Sequence, residues 1–162
     1  PAGGPEVDYE VDFFGSLGYD FGKLRAEAGY TYYLFDVDGL DSQEAFFSLS
    51  SFCEKLEMHF AVTYFLDIRD QDNGGYLEGT VSRSFELNEK LSLDLELLAA
   101  YLIEESEFSH LGATVALPFR LNDAFTVSPY VAATIELAGL KVVSPSNAQN
   151  EYIAGVSVSA GF

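Results

Sequence analysis

The last eleven residues, Tyr152-Ile153-Ala154-Gly155-Val156-Ser157-Val158-Ser159-Ala160-Gly161-Phe162, alternate strictly along two faces. Tyr152, Ala154, Val156, Val158, Ala160 and Phe162 fall on one side, and Ile153, Gly155, Ser157, Ser159 and Gly161 on the other. A period of two is the signature of a β-strand, and about ten residues is the length that crosses a bilayer at a tilt. A strand closing on an aromatic residue at one interface is how outer-membrane barrels finish. Any β-sandwich could end this way too, so the weight rests on whether the rest of the chain repeats the pattern.

It does. Val7, Tyr9, Val11, Phe13, Leu17, Tyr19 and Phe21 alternate with Asp8, Glu10, Asp12, Ser16 and Asp20. Beyond a Gly22-Lys23 hairpin turn, the return strand carries Leu24 to Leu34 on its apolar side and Arg25 and Glu27 on its polar side. Further strands are expected over Glu44 to Cys53, Leu56 to Asp67, Tyr76 to Leu87, Leu91 to Tyr101, Ser109 to Leu121 and Phe125 to Leu137, with the final strand making nine. Pro129 suits a central strand poorly, which predicts a local bulge there. The expected fold class is all-β, an antiparallel up-and-down transmembrane β-barrel in a single domain spanning residues 1–162.

The 162 residues carry 26 acidic and 8 basic side chains, a formal charge of -18. That balance argues against nucleic-acid partners, whose phosphates need a basic footprint. The single cysteine, Cys53, permits no intrachain disulfide. No apolar run is long enough for a membrane helix. The opening Pro-Ala-Gly-Gly-Pro has neither an initiator methionine nor a signal-peptide core, so a processed chain or a portion of a longer one is expected.

Connections alternate between tight turns (Gly22-Lys23, Glu54-Lys55, Asn88-Glu89, Asn122-Asp123) and longer acidic loops, as the two ends of a membrane barrel do. Aromatic residues of the apolar face sort by height. Tyr9, Tyr32, Tyr64, Tyr101 and Tyr152 gather at the loop end, and Tyr19, Phe21, Phe85, Phe119, Phe125 and Phe162 at the turn end, predicting two membrane-interface girdles. The opposite face then becomes an acidic lumen lined by Asp8, Glu10, Asp12, Arg25, Glu27, Glu57, His59, Glu78, Asp94, Glu96, His110 and Glu136. Arg83 falls on the apolar face near the turn end, where a long side chain can snorkel.

Several stretches resemble the TorF-like family of outer-membrane β-barrel porins: Phe14-Gly-Ser-Leu-Gly-Tyr-Asp-Phe-Gly-Lys-Leu24, Ala28-Gly-Tyr-Thr-Tyr-Tyr-Leu-Phe35 with Asp36 after it, Gln43-Glu44, and Gly75-Tyr76-Leu77-Glu78. The resemblance implies passive diffusion of small solutes across a bacterial outer membrane, with lipid and lipopolysaccharide as surroundings. It supplies no catalytic residue, cofactor or metal ligand to carry over. One departure is the odd strand count, since single-chain bacterial barrels have an even number. An odd number of upstream strands is therefore expected to be missing.

Other functions have weaker grounds. A non-conducting structural barrel could plug its lumen with Arg25, Glu27, Glu57 and Glu96. Ser109-His110 invites comparison with outer-membrane lipid hydrolases, but neighbouring strand residues point to opposite faces and are expected not to pair as nucleophile and base. Asp70-Gln-Asp72-Asn-Gly74 and Asp36-Val-Asp38-Gly39 have partial calcium-loop character without the full ligand spacing. A soluble lipocalin-like binder would need the apolar face turned inward.

Overall fold

A computed structural model describes residues 10–35, 41–68, 75–137 and 150–161, without the side chain of Glu10. These residues form one antiparallel sheet with no helix among them. Its strands are β1 (Glu10–Phe21), β2 (Leu24–Phe35), β3 (Ser42–Cys53), β4 (Met58–Asp67), β5 (Tyr76–Asn88), β6 (Leu91–Leu102), β7 (Glu107–Ala116), β8 (Phe119–Arg120), β9 (Phe125–Glu136) and β10 (Glu151–Ala160). Each long strand pairs with the next long strand in sequence, and β8 is a two-residue rung joining β6 and β9.

The count is thus ten rather than nine, because the expected strand from Ser109 to Leu121 divides. The division also relocates the irregularity expected at Pro129. Pro129 keeps its register opposite Val156 in β10, and its carbonyl accepts the Leu117 N–H at 2.9 Å. In an antiparallel ladder a residue's N–H and C=O face the same neighbour. The donor that proline lacks would have faced the segment of Leu117 and Pro118, and that segment is where β7 stops before β8 resumes. The partner strand absorbs the defect.

Turn chemistry explains the hairpins. Gly22 holds φ +75° in the two-residue turn before β2, a conformation that favours glycine. Asn88 Oδ1 accepts the N–H groups of Lys90 and Leu91 at 3.0 and 3.1 Å, and Asn122 Oδ1 accepts those of Ala124 and Phe125 at 2.9 and 3.0 Å. The same side-chain turn therefore closes two hairpins. The β3–β4 turn departs from expectation. It runs from Glu54 through Glu57, with Glu57 at φ +52°, so Leu56 and Glu57 belong to the turn rather than to β4. On the loop side, the β6–β7 connection at residues 103–106 is equally short.

Register carries the two faces across the whole sheet. One unbroken row of paired residues runs Phe21, Leu24, Ser51, Phe60, Val81, Leu97, Ala113, Ala133, Tyr152. It starts on the last residue of β1 and ends on the second residue of β10, although both strands run in the same direction. The strands are staggered progressively, so a rung that begins at the turn end finishes at the loop end.

Exposure separates the faces. On β7 the apolar positions Leu111, Ala113 and Val115 are exposed, and the intervening Gly112, Thr114 and Ala116 are partly shielded. The pattern repeats at mid-sheet, where Val62, Leu97 and Val131 are 54%, 58% and 55% exposed. Ala100, on the polar face, is the only buried hydrophobic residue among the described residues. Across the middle of the sheet the apolar face is therefore the more exposed and the polar face the more shielded, whereas on the edge strands β1 and β10 nearly every residue of both faces is exposed.

Candidate functional site

The polar face is where functional groups collect. Pairing brings Asp12 opposite Tyr33, Arg25 opposite Asp20 and Ser50, Glu27 opposite Ser48, and Thr63 opposite Glu78. It also sets His59 opposite Ser82, Ser82 opposite Glu96, Asp94 opposite Ser84, and His110 opposite Glu136. These residues share one face. Glu10 occupies the corresponding position on β1, and Asp8 lies outside the described residues. Of the girdle positions, Tyr19, Phe21, Tyr32, Tyr64, Phe85, Tyr101, Phe119, Phe125 and Tyr152 lie on the opposite, apolar face. Tyr9 and Phe162 fall outside the described residues, as do both partial calcium loops.

Glu57 does not sit where expected. From its turn it reaches Arg83 on the apolar side, Oε2 to Nη2 at 2.6 Å, and the Arg83 guanidinium lies 4.6 Å from the centre of the Phe85 ring. The arginine is therefore held by an ion pair and an aromatic face rather than snorkelling alone. Arg25 makes the other inward pairings, at 3.4 Å to both Asp20 and Glu27, and Glu27 also accepts the Ser16 hydroxyl at 2.5 Å. The four ion pairs among the described residues, including Lys23–Glu54, all stand in the turn-side half of the sheet.

Ser109 and His110 overturn an expectation. A register shift between β6 and β7, beside Ala100 and Tyr101, inserts an extra residue, and a 2.8 Å hydrogen bond joins Ser109 Oγ to His110 Nδ1. Alternation fails at a bulge because the backbone there turns out of the pleat. Ser109 is only 3% exposed, however, and its carbonyl accepts the Leu137 N–H at 2.7 Å. The buried hydroxyl is placed to orient the imidazole.

The largest group that sequence reasoning missed is aromatic. Phe46, Phe65 and Tyr76 lie in one register row on the polar face, with Phe46 and Phe65 centroids 6.1 Å apart and Phe65 stacked on Tyr76 at 4.7 Å and 15°. Gly29, opposite Phe46, makes room for its ring: a methyl group at Gly29 would run into the Phe46 edge and the Gly15 carbonyl. Glu44 stands two residues before Phe46 and accepts the Tyr33 hydroxyl at 3.2 Å. Glu78 stands two residues after Tyr76. Phe46 and Phe65 at polar-face positions break the apolar–polar alternation, and that was the signal available in the sequence.

At the turn end, a cavity of about 520 Å³ is lined by Ser84, Glu86, Lys90, Ser92, Arg120 and Thr126 among others. Its charges are mixed. Comparisons with protein-family models, curated proteins and solved structures gave no match.

Proposed function

We propose that this chain forms an outer-membrane β-barrel, kin to the TorF-like porins it resembles, which passes small solutes through an acidic, cation-preferring lumen. The observation that carries this reading is the split between faces at mid-sheet, where large apolar side chains such as Val62, Leu97 and Val131 are exposed while Glu44, Glu78, Asp94 and Glu136 on the other face are partly shielded. A continuous exposed apolar face of this size is unfavourable in water and matches lipid.

The stagger adds quantitative support. Measured from the turn-side strand ends, the paired row slides eight positions between β1 and β10 over eight inter-strand steps. With about 3.3 Å per residue and about 4.8 Å between strands, this corresponds to a tilt of about 35°, within the range a closed barrel uses. Phe21 stands at the turn end of β1 and Tyr152 at the loop end of β10, which is consistent with two girdles. Because β1 and β10 run the same way, closure needs either a parallel seam between them or an odd number of further strands.

Selectivity follows from charge. Carboxylates such as Asp12, Asp94 and Glu96 lower the energy of an entering cation and raise that of an anion. Planar-bilayer recordings under a potassium chloride gradient test this. The chain is expected to give a reversal potential of cation-preferring sign, reduced when Asp12, Asp94 and Glu96 become amides. An unchanged reversal potential would defeat the electrostatic mechanism, and absence of conductance in a folded, membrane-inserted protein would favour the structural barrel.

A further inference from the structure

The aromatic row on the polar face has no role in an ion pore that works by charge alone. Phenyl rings facing a polar interior lose the hydrophobic benefit they would have against lipid, yet three adjacent strands place rings at the same level. The row reads Ser16, Gly29, Phe46, Phe65, Tyr76, Leu102. On its loop side runs Phe14, Thr31, Glu44, Asp67, and on its turn side Gly18, Glu27, Ser48, Thr63, Glu78, Ala100, His110, Glu136. No lysine or arginine belongs to these three rows, and the one guanidinium that reaches into them, that of Arg25, does so at Gly18 and Glu27 on β1 and β2, away from the rings. The rings are thus bracketed by carboxylates from β3 and β5, each about 7 Å from its neighbouring ring along the strand.

We infer that Phe46, Phe65 and Tyr76, with Glu44 and Glu78 on either side, form a binding platform for organic cations, namely ammonium or guanidinium compounds with an apolar or aromatic body. Ring faces attract such cations through their quadrupole, and the flanking carboxylates supply the opposite charge. The rings separate the Glu44 carboxylate from the Glu78 carboxylate, and among the described residues no three acidic, histidine or cysteine side chains are grouped to hold a metal ion, which needs six or more oxygen ligands at short range. A bulky, weakly hydrated cation meets rings and carboxylates together. The Tyr33 hydroxyl, donating to Glu44, holds one carboxylate in place. Gly29 makes room for the Phe46 ring, which sits tilted 45° to Phe65 at the end of the platform.

The inference rests on the pore reading only in taking the polar face as a lumen, and the test separates the two. Protein refolded in dodecyl maltoside is titrated calorimetrically with benzyltrimethylammonium chloride, with potassium chloride and benzyl alcohol as controls, and the same compound is added to conducting bilayers. Saturable binding of benzyltrimethylammonium and neither control is expected. It should weaken more than tenfold in E44Q/E78Q and about fivefold in Tyr76→Leu, the scale of one cation–π contact. Block of the potassium current should weaken in parallel. The double amide variant changes no ring, so it reports even where Tyr76→Leu fails to fold. Equal binding of benzyl alcohol, or indifference to E44Q/E78Q, overturns the platform. Conductance without binding or block overturns the platform and leaves the pore. Specific binding by a protein that never conducts supports the platform and defeats the pore.

Discussion

The two ends of the polar face solve the problem of charge differently. In its turn-side half Asp20 and Glu27 meet Arg25, and around it Glu54 meets Lys23 in the turns and Glu57 meets Arg83 on the apolar side. The described lysines and arginines all belong to this half. Toward the loops, carboxylates meet aromatic rings and hydroxyls instead, as Glu44 meets Tyr33 beside the Phe46–Phe65–Tyr76 row. Neutralised pairs brace a structure, whereas carboxylates beside rings offer a field that attracts a cation. The difference suggests a braced turn end and a receptive loop end.

The sharpest way to break this picture is to attack its premise, that the apolar face meets lipid. Leu97→Arg places a cation at the middle of that face. In liposomes it is expected to cost about 2–4 kcal/mol of unfolding free energy, as at a bilayer midplane. A change within a few tenths of a kcal/mol in denaturant titration would mean that Leu97 faces water. Next in size, Gly29→Val should force Phe46 off its seat and cost about 1–3 kcal/mol by overpacking. Adding Phe46→Ala should recover part of that loss, since the two sites share one contact; simple additivity of the two costs would show that the ring and the glycine are independent.

The turn end can be probed more gently. Asn122→Ala removes the acceptor of two backbone N–H groups and should lower stability by about 1 kcal/mol, with Asn88→Ala behaving alike. Smallest of all, Glu57→Gln should shift stability by less than about 1 kcal/mol, because Glu57 stands exposed in its turn, where solvent screens its pair with the partly buried Arg83. A loss of several kcal/mol there would show that the turn end is held chiefly by its charges.

Much of the fold was legible because β-structure writes a period of two into the sequence and glycine and asparagine punctuate it. The hairpin at Gly22, the side-chain turns at Asn88 and Asn122, and the division of Asp12, Glu27, Asp94 and Glu96 from Leu17, Val62, Leu97 and Val131 all follow from local chemistry. What escaped has one cause in common: a pairing partner. Pro129 was expected to bulge, yet its neighbour breaks instead. Ser109 and His110 were expected on opposite faces, yet a one-residue shift against β6 lets them bond. Glu57 left its strand for a turn and found Arg83. Each outcome depends on which residue stands across the ladder.

The same boundary separates what each level determined about function. By itself the sequence determined the strands, the two chemically opposed faces and the acidity of one of them, because alternation and composition need no knowledge of neighbours. Only the tertiary structure decided that the apolar face is the exposed one, that the strands are staggered enough to carry a rung from one rim to the other, and that three rings from β3, β4 and β5 meet between two glutamates. Register is the physical reason. A shift of one residue between strands would leave every strand's own pattern intact and scatter all of these contacts.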